Sequence, residues 1–175
     1  YERKYFTGEN AKKIDAIREK LEEWKKKNLI NEQEYYFLLC ALIEAVPFVA
    51  NISGVYAAFL KEWDKRAFKK LTLEVPEIIK SDETHKVFNT NGLDVLDEVK
   101  SIDILYLDPP YNERQYAPNY HILETIAKWD KPPIKGVTGM RAYDKQKSEF
   151  CNPKAGVKAL AEIIKKPNFK HLLLS

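Results

Sequence analysis

At 175 residues, with 45% apolar and 12% aromatic side chains and a formal charge of +3, the chain has the composition of one foldable domain. That excludes a disordered, fibrous or low-complexity protein, and no stretch approaches the roughly 20 apolar residues that a membrane helix needs. Its two cysteines, Cys40 and Cys151, are far apart with no histidine or second thiol beside either. Neither a metal site nor a disulfide framework is therefore expected, and a reducing cytoplasm is the simplest compartment.

The chain opens on Tyr1, and its only methionine is Met140. It therefore reads as a piece of a longer protein, without a signal-peptide pattern. Both ends are basic on balance and the middle is acidic, but the net charge is too small for a strong nucleic-acid footprint. The Lys25-Lys26-Lys27 run is read as a solvated helix face.

In chain order, Ile14, Ile17, Leu21 and Trp24 recur at three- and four-residue spacing and predict an amphipathic helix over residues 9–28. Asn31 and Glu34 have the spacing of a capping box, and the apolar run Tyr35 to Val46 predicts a buried second helix that Pro47 ends or kinks. Asn51-Ile52-Ser53-Gly54 breaks the pattern before a short aromatic helix expected from Val55 to Trp63. Strands are then predicted at Leu71 to Val75, Val87 to Asn89, Ile102 to Leu107 and His171 to Leu174. Helices are predicted between them at Leu93 to Val99, Tyr120 to Trp129 and Lys154 to Ile164. Such alternation implies a parallel sheet, and the near-continuous apolar run Ile102 to Leu107 is expected to be covered on both faces. The predicted division is a helical segment at residues 1–70, as a target-recognition or packing region, and an α/β portion at residues 71–175.

The chemistry is expected where that central strand ends. Asp108-Pro109-Pro110-Tyr111 follows Leu107 directly, at the carboxyl end of a strand, where open α/β sheets bind ligands. The prolines carry no N–H, so the strand cannot continue its ladder and the turn is rich in acceptors. An ionised Asp108 carboxylate and the Pro109 carbonyl together suit the two hydrogens of one planar amino group, and the Tyr111 ring offers a stacking surface. The pocket suits an exocyclic amine on an aromatic base.

The segment from Asp108-Pro109-Pro110-Tyr111-Asn112-Glu113-Arg114-Gln115-Tyr116 to Asn119-Tyr120-His121-Ile122-Leu123-Glu124 resembles the D12-class DNA adenine methyltransferases. Similarity extends over Asn51-Ile52-Ser53-Gly54-Val55-Tyr56, Gly136-Val137-Thr138-Gly139-Met140-Arg141 and Ser148-Glu149-Phe150-Cys151. The resemblance implies a partial Rossmann-like sheet and methyl transfer from S-adenosylmethionine to the N6 amino group of an adenine flipped out of double-stranded DNA. It also implies a restriction–modification setting, with a restriction endonuclease as partner. Asp108 and the Pro109 carbonyl would orient the amino nitrogen, Pro110 would stiffen the turn and Tyr111 would stack on the base. Asp at position 108, where enzymes acting on protein glutamine typically look like Asn-Pro-Pro-Tyr, favours adenine in DNA.

Around this centre, Arg114, Gln115, Tyr116, Asn119 and His121 follow closely enough to line the pocket or touch DNA, with Arg114 as a phosphate partner. Packing or capping roles stand equally open for each, His121 included. Asn91, with Asp108, is the candidate cofactor contact. The family's glycine-containing cofactor loop has no counterpart here, since none of Gly8, Gly54, Gly92, Gly136, Gly139 and Gly156 joins a convincing strand to a helix. A missing segment or a second copy is expected to complete the sheet. Two other classes remain open: an inactive or split DNA-binding module, and a methyltransferase acting on RNA.

Overall fold

The computed structural model describes residues 2–110 and 112–175; Tyr1 and Tyr111 lie outside the described residues. The chain forms two compact units, one of Tyr1–Ile79 with Ala117–Tyr143, the other of Lys80–Tyr116 with Asp144–Ser175.

The first unit is built on helices. In α1 (Gly8–Lys26) the Thr7 hydroxyl caps the amino end, accepting from the Asn10 N–H, and Lys25 and Lys26 sit at the carboxyl end, where cations are favoured. Ile14 and Leu21 on the predicted stripe are buried. In α2 (Glu32–Ala45) the capping box is complete: the Asn31 side chain accepts from the Glu34 N–H at 2.9 Å, and the Glu34 carboxylate accepts from the Asn31 N–H at 2.7 Å. The α-helix stops at Ala45, and Pro47 lies in the 3-10 turn Val46–Val49 that follows. The core joins Tyr5, Ile14, Leu42, Val46, Val49, Tyr56 and Leu71 to Ile126 of α4 (Tyr116–Lys128). A two-residue antiparallel hairpin, β2 (Ile134–Lys135) with β3 (Met140–Arg141), belongs to the same unit.

Two sequence expectations fail in this unit, both because a buried amide takes over the backbone. Val55 to Trp63 is not helical. Its flanks are tied to Asn51, whose Nδ2 donates to the carbonyls of Lys4 (2.9 Å) and Leu60 (3.0 Å) and whose Oδ1 accepts from the Asp64 N–H (2.9 Å). Leu71 to Val75 is not a strand either. The Leu71 N–H donates to Asn10 Oδ1 at 3.1 Å, and Asn10 Nδ2 donates to the carbonyls of Ala67 and Lys69.

The second unit is a small α/β arrangement. Strand β1 (Ile102–Leu107) pairs in parallel with β4 (Phe169–Leu174), with Ile102 opposite Phe169 and Leu107 opposite Leu174. Helices α3 (Gly92–Glu98) and α5 (Pro153–Ile164) accompany them. Asn168, leading into β4, donates from Nδ2 to the carbonyls of Leu96 and Val99, and its own carbonyl accepts from the Ile102 N–H. This places β1 and β4 in register. Among the described residues that sheet has two strands. Val87 to Asn89, expected as a strand, is exposed and unpaired in any sheet. The expected cover on both faces of β1 is also not found, since Ile104 and Tyr106 are each 60% exposed.

Candidate active site

The ladder between β1 and β4 runs to the last residue of β1, where the Leu107 carbonyl accepts from the Ser175 N–H at 3.0 Å. Asp108 comes next and is exposed, followed by the half-buried Pro109 and Pro110. With no N–H on either proline, this turn presents carbonyl acceptors and the exposed Asp108 carboxylate at the carboxyl end of the parallel pair. An amino-bearing or cationic ligand fits that donor-poor edge. Tyr111, the expected stacking ring, lies outside the described residues.

Beyond it, the Asn112 side chain accepts from the Arg114 N–H at 2.9 Å, closing a short turn. Arg114 is exposed, and its carbonyl lies 3.5 Å from the Cys151 thiol, which donates to it. Burial pushes the Cys151 thiol pKa up, away from a reactive thiolate. Gln115 turns its amide onto Ser148, donating to the Ser148 carbonyl at 3.1 Å and accepting from its N–H at 2.7 Å. Tyr116 is exposed at the start of α4. Asp108, Arg114, Gln115 and Tyr116 thus lie on one continuous stretch of the second unit.

Asn91, in the same unit, is exposed and uses its side-chain oxygen to cap α3, accepting from the Leu93 N–H at 3.0 Å. Asn119 and His121 belong to the first unit. The Asn119 carbonyl accepts from the Tyr56 N–H at 2.7 Å. His121 is 1% exposed, with Nε2 2.9 Å from the Tyr56 carbonyl and 3.3 Å from the Tyr5 hydroxyl. Of the two roles left open for His121 by the sequence, this placement corresponds to packing within the core.

Ser148 and Cys151 are residues to which the sequence assigns no role. The only signal for them is the resemblance carried by Ser148-Glu149-Phe150-Cys151, because their contacts run through the backbone or a weak thiol donor. Among the described residues no group of three or more His, Cys, Asp or Glu is placed to hold a metal, and no helix is long and apolar enough to cross a membrane.

Comparison with known proteins matches residues 1–175 to the family described as D12 class N6 adenine-specific DNA methyltransferase. The Type II methyltransferase M.FokI of Planomicrobium okeanokoites is 51% identical over 174 residues, which is 99% of this chain and 27% of that protein. The modification methylase StsI of Streptococcus sanguinis is 42% identical over 99% of this chain and 26% of its own length. The Type II methyltransferase M.NlaIII of Neisseria lactamica is 43% identical over 99% of this chain and 51% of its own length. The chain therefore spans between about a quarter and a half of these relatives. No solved structure matches it. Matched along its whole length, with Asp108-Pro109-Pro110 directly after β1, the chain belongs to the D12 class of N6 adenine-specific DNA methyltransferases.

Proposed function

We propose that the protein carrying this chain transfers a methyl group to the N6 amino group of an adenine in double-stranded DNA. The observation that carries the reading is the exposed Asp108 carboxylate immediately beyond the last ladder bond of β1, followed by two residues that cannot donate. S-adenosylmethionine supplies an electrophilic methyl group on a sulfonium when bound, and Asn91 and Asp108 are the residues of this chain assigned to face it. Asp108 and the Pro109 carbonyl accept the two amino hydrogens of the flipped base. Held in this way, the nitrogen lone pair leaves the plane of the ring and points along the line of attack. Asp108 and the Pro109 carbonyl would aim that lone pair at the methyl group the sulfonium would supply, and the proton the nitrogen gives up after transfer would pass to the Asp108 carboxylate or to water. Orientation and fixed acceptors supply the rate, without a covalent enzyme intermediate. Tyr111 stacks on the base, and Arg114 takes a phosphate. The sheet is part of a Rossmann-like layer, and the setting is a cytoplasmic restriction–modification system with an endonuclease cutting the same DNA. Relatives named as type II methyltransferase and modification methylase support that setting.

The test is methyl transfer from labelled S-adenosylmethionine to duplex DNA by the full-length protein, with the product base identified after digestion. N6-methyladenine is expected, with loss to background in Asp108→Ala while DNA binding is kept. Methylated cytosine, or undiminished transfer by the variant, overturns the proposal.

A further inference from the structure

Asp108 and Arg114 each stand next to a fixed point of the second unit. At the near end, the Leu107 carbonyl is held by the Ser175 N–H beyond β4. At the far end, the Gln115 amide bonds to both backbone groups of a single residue, through Nε2 to the Ser148 carbonyl (3.1 Å) and through Oε1 to the Ser148 N–H (2.7 Å). An amide joined in this two-point manner mimics a neighbouring strand and fixes orientation as well as distance. The adjacent Arg114 carbonyl is held by the Cys151 thiol, which is buried.

Ser148 is itself anchored. Its hydroxyl accepts from the Phe150 N–H, and its carbonyl accepts from the Cys151 N–H as well. Asn152 then caps α5, accepting from the N–H groups of Lys154 and Ala155, and α5 leads into β4 beside β1. Gly156 of α5 packs closely against the Phe150 backbone, where an added Cβ would lie 3.2 Å from Phe150 Cα. Both ends of the Asp108 segment therefore hang from the same β1–β4 frame.

We propose that Gln115 is a positioning residue that clamps the far end of the Asp108 segment to Ser148, in place of reading a base. A glutamine that reads adenine needs its donor and its acceptor for the base edge, and here both are engaged with Ser148. The proposal rests on Asp108 being the residue that orients the amino group. A clamp of this kind acts on turnover, because small misplacements of a reacting group cost rate more than affinity.

The experiment compares Gln115→Ala, Gln115→Glu, Ser148→Pro and the double variant Gln115→Ala/Ser148→Pro in the full-length protein, with Asp108→Ala alongside. Ser148→Pro removes the N–H that Gln115 accepts, together with the hydroxyl that accepts from Phe150, and leaves Gln115 itself untouched; Ser148→Ala, which loses the hydroxyl alone, is the control and should keep kcat near wild type. Gln115→Glu keeps that acceptor but sets an oxygen against the Ser148 carbonyl. The expected result is a roughly 10- to 100-fold fall in kcat for Gln115→Ala, Gln115→Glu and Ser148→Pro, with DNA affinity and the KM for S-adenosylmethionine within about threefold of wild type. The double variant falls no further than the worse single variant, because the two residues form one interaction. If Ser148→Pro fails to fold, Gln115→Glu carries the comparison, with the same fall in kcat expected. Unchanged kcat in Gln115→Ala overturns the clamp, as does a loss of DNA affinity that accounts for the whole effect, which would make Gln115 a DNA contact. Full activity in Asp108→Ala would instead overturn the underlying catalytic assignment, whatever the Gln115 variants do.

Discussion

His121 and Tyr56 are joined on both backbone sides of Tyr56: the ring Nε2 lies 2.9 Å from the Tyr56 carbonyl, and the Tyr56 N–H donates to the Asn119 carbonyl two residues before the histidine. A carbonyl only accepts, so Nε2 carries the ring proton. Nδ1 is buried without a partner among the described residues. A second proton there would bring charge into the core with nothing to receive it, and burial accordingly holds the His121 pKa below its ordinary 6.5.

The pH dependence follows from that depression. The stability contributed by neutral His121 is complete above the unfolded value of about 6.5. It is lost as pH falls, because the unfolded chain takes up a proton that the folded chain refuses. Between the unfolded and folded values the loss amounts to about 1.4 kcal/mol per pH unit. Melting temperatures measured from pH 7.5 down to pH 5 should fall in the wild type and stay flatter in His121→Gln, which keeps a donor for Tyr56. Parallel curves for the two proteins would rule out His121 as the source.

Asn51 offers a sharper test of the first unit. All three of its side-chain bonds are directional, and the residue is fully buried. Asn51→Asp preserves shape but turns an oxygen toward the carbonyls of Lys4 and Leu60. Each buried acceptor left without a donor costs about 1–3 kcal/mol, so a loss of about 3 kcal/mol or more is expected at pH 7.5. Relative to wild type, the variant should recover part of this loss at pH 5, because a protonated carboxyl regains one donor. Denaturant midpoints at the two pH values check both statements; a deficit independent of pH would contradict the assigned bond directions.

Much of the architecture was legible in the sequence where the signal is local. The stripe through Ile14 and Leu21, the Asn31–Glu34 box and the apolar run ending at Asp108 each depend on neighbours within a turn or a strand, and each has its counterpart in α1, α2 and β1. The position of Asp108 at a strand end was legible for the same reason. Asn10 and Asn51 were not, because an asparagine that bonds to a carbonyl 57 residues away, as Asn10 does, or 47 residues away, as Asn51 does, looks like any polar residue in its own window. Their bonds displace the helix and strand that local propensity favours at 55–63 and 71–75, a case of tertiary contacts overriding pattern. The Gln115 clamp is invisible in the same way, since its partner is a backbone position 33 residues on.

Arg18 is the most deeply buried charge of the first unit, 0% exposed, with Nη2 donating to Glu22 at 2.7 Å and to the Tyr35 hydroxyl at 3.2 Å. Its guanidinium lies 5.4 Å from the Trp129 ring centroid, and its Nε and Nη1 have no partner among the described residues. Removing Glu22 strands the cation inside, whereas removing Arg18 leaves a carboxylate that already reaches solvent. Glu22→Ala should therefore cost about 2–3 kcal/mol, more than Arg18→Met, which exchanges a poorly satisfied buried charge for packing. Chemical denaturation of the two variants decides the order, and a costlier Arg18→Met would show the ion pair to be net stabilising.

At Asp108 the number of acceptors and their charge can be separated. Asp108→Asn keeps one oxygen able to accept an amino hydrogen, but it loses the charge and adds a donor that the substrate amine cannot satisfy. A hydrogen bond to an ionised partner is worth about 1.5–3 kcal/mol against about 0.5–1.5 for a neutral one. The difference of about 1–2 kcal/mol corresponds to a fall of roughly 5- to 30-fold in kcat. Asp108→Ala, which removes the acceptor altogether, should fall well below that. Single-turnover methylation by the full-length protein, with DNA saturating, measures both. Equal losses in the two variants would mean that charge is indispensable and that the remaining oxygen contributes nothing to orienting the amine.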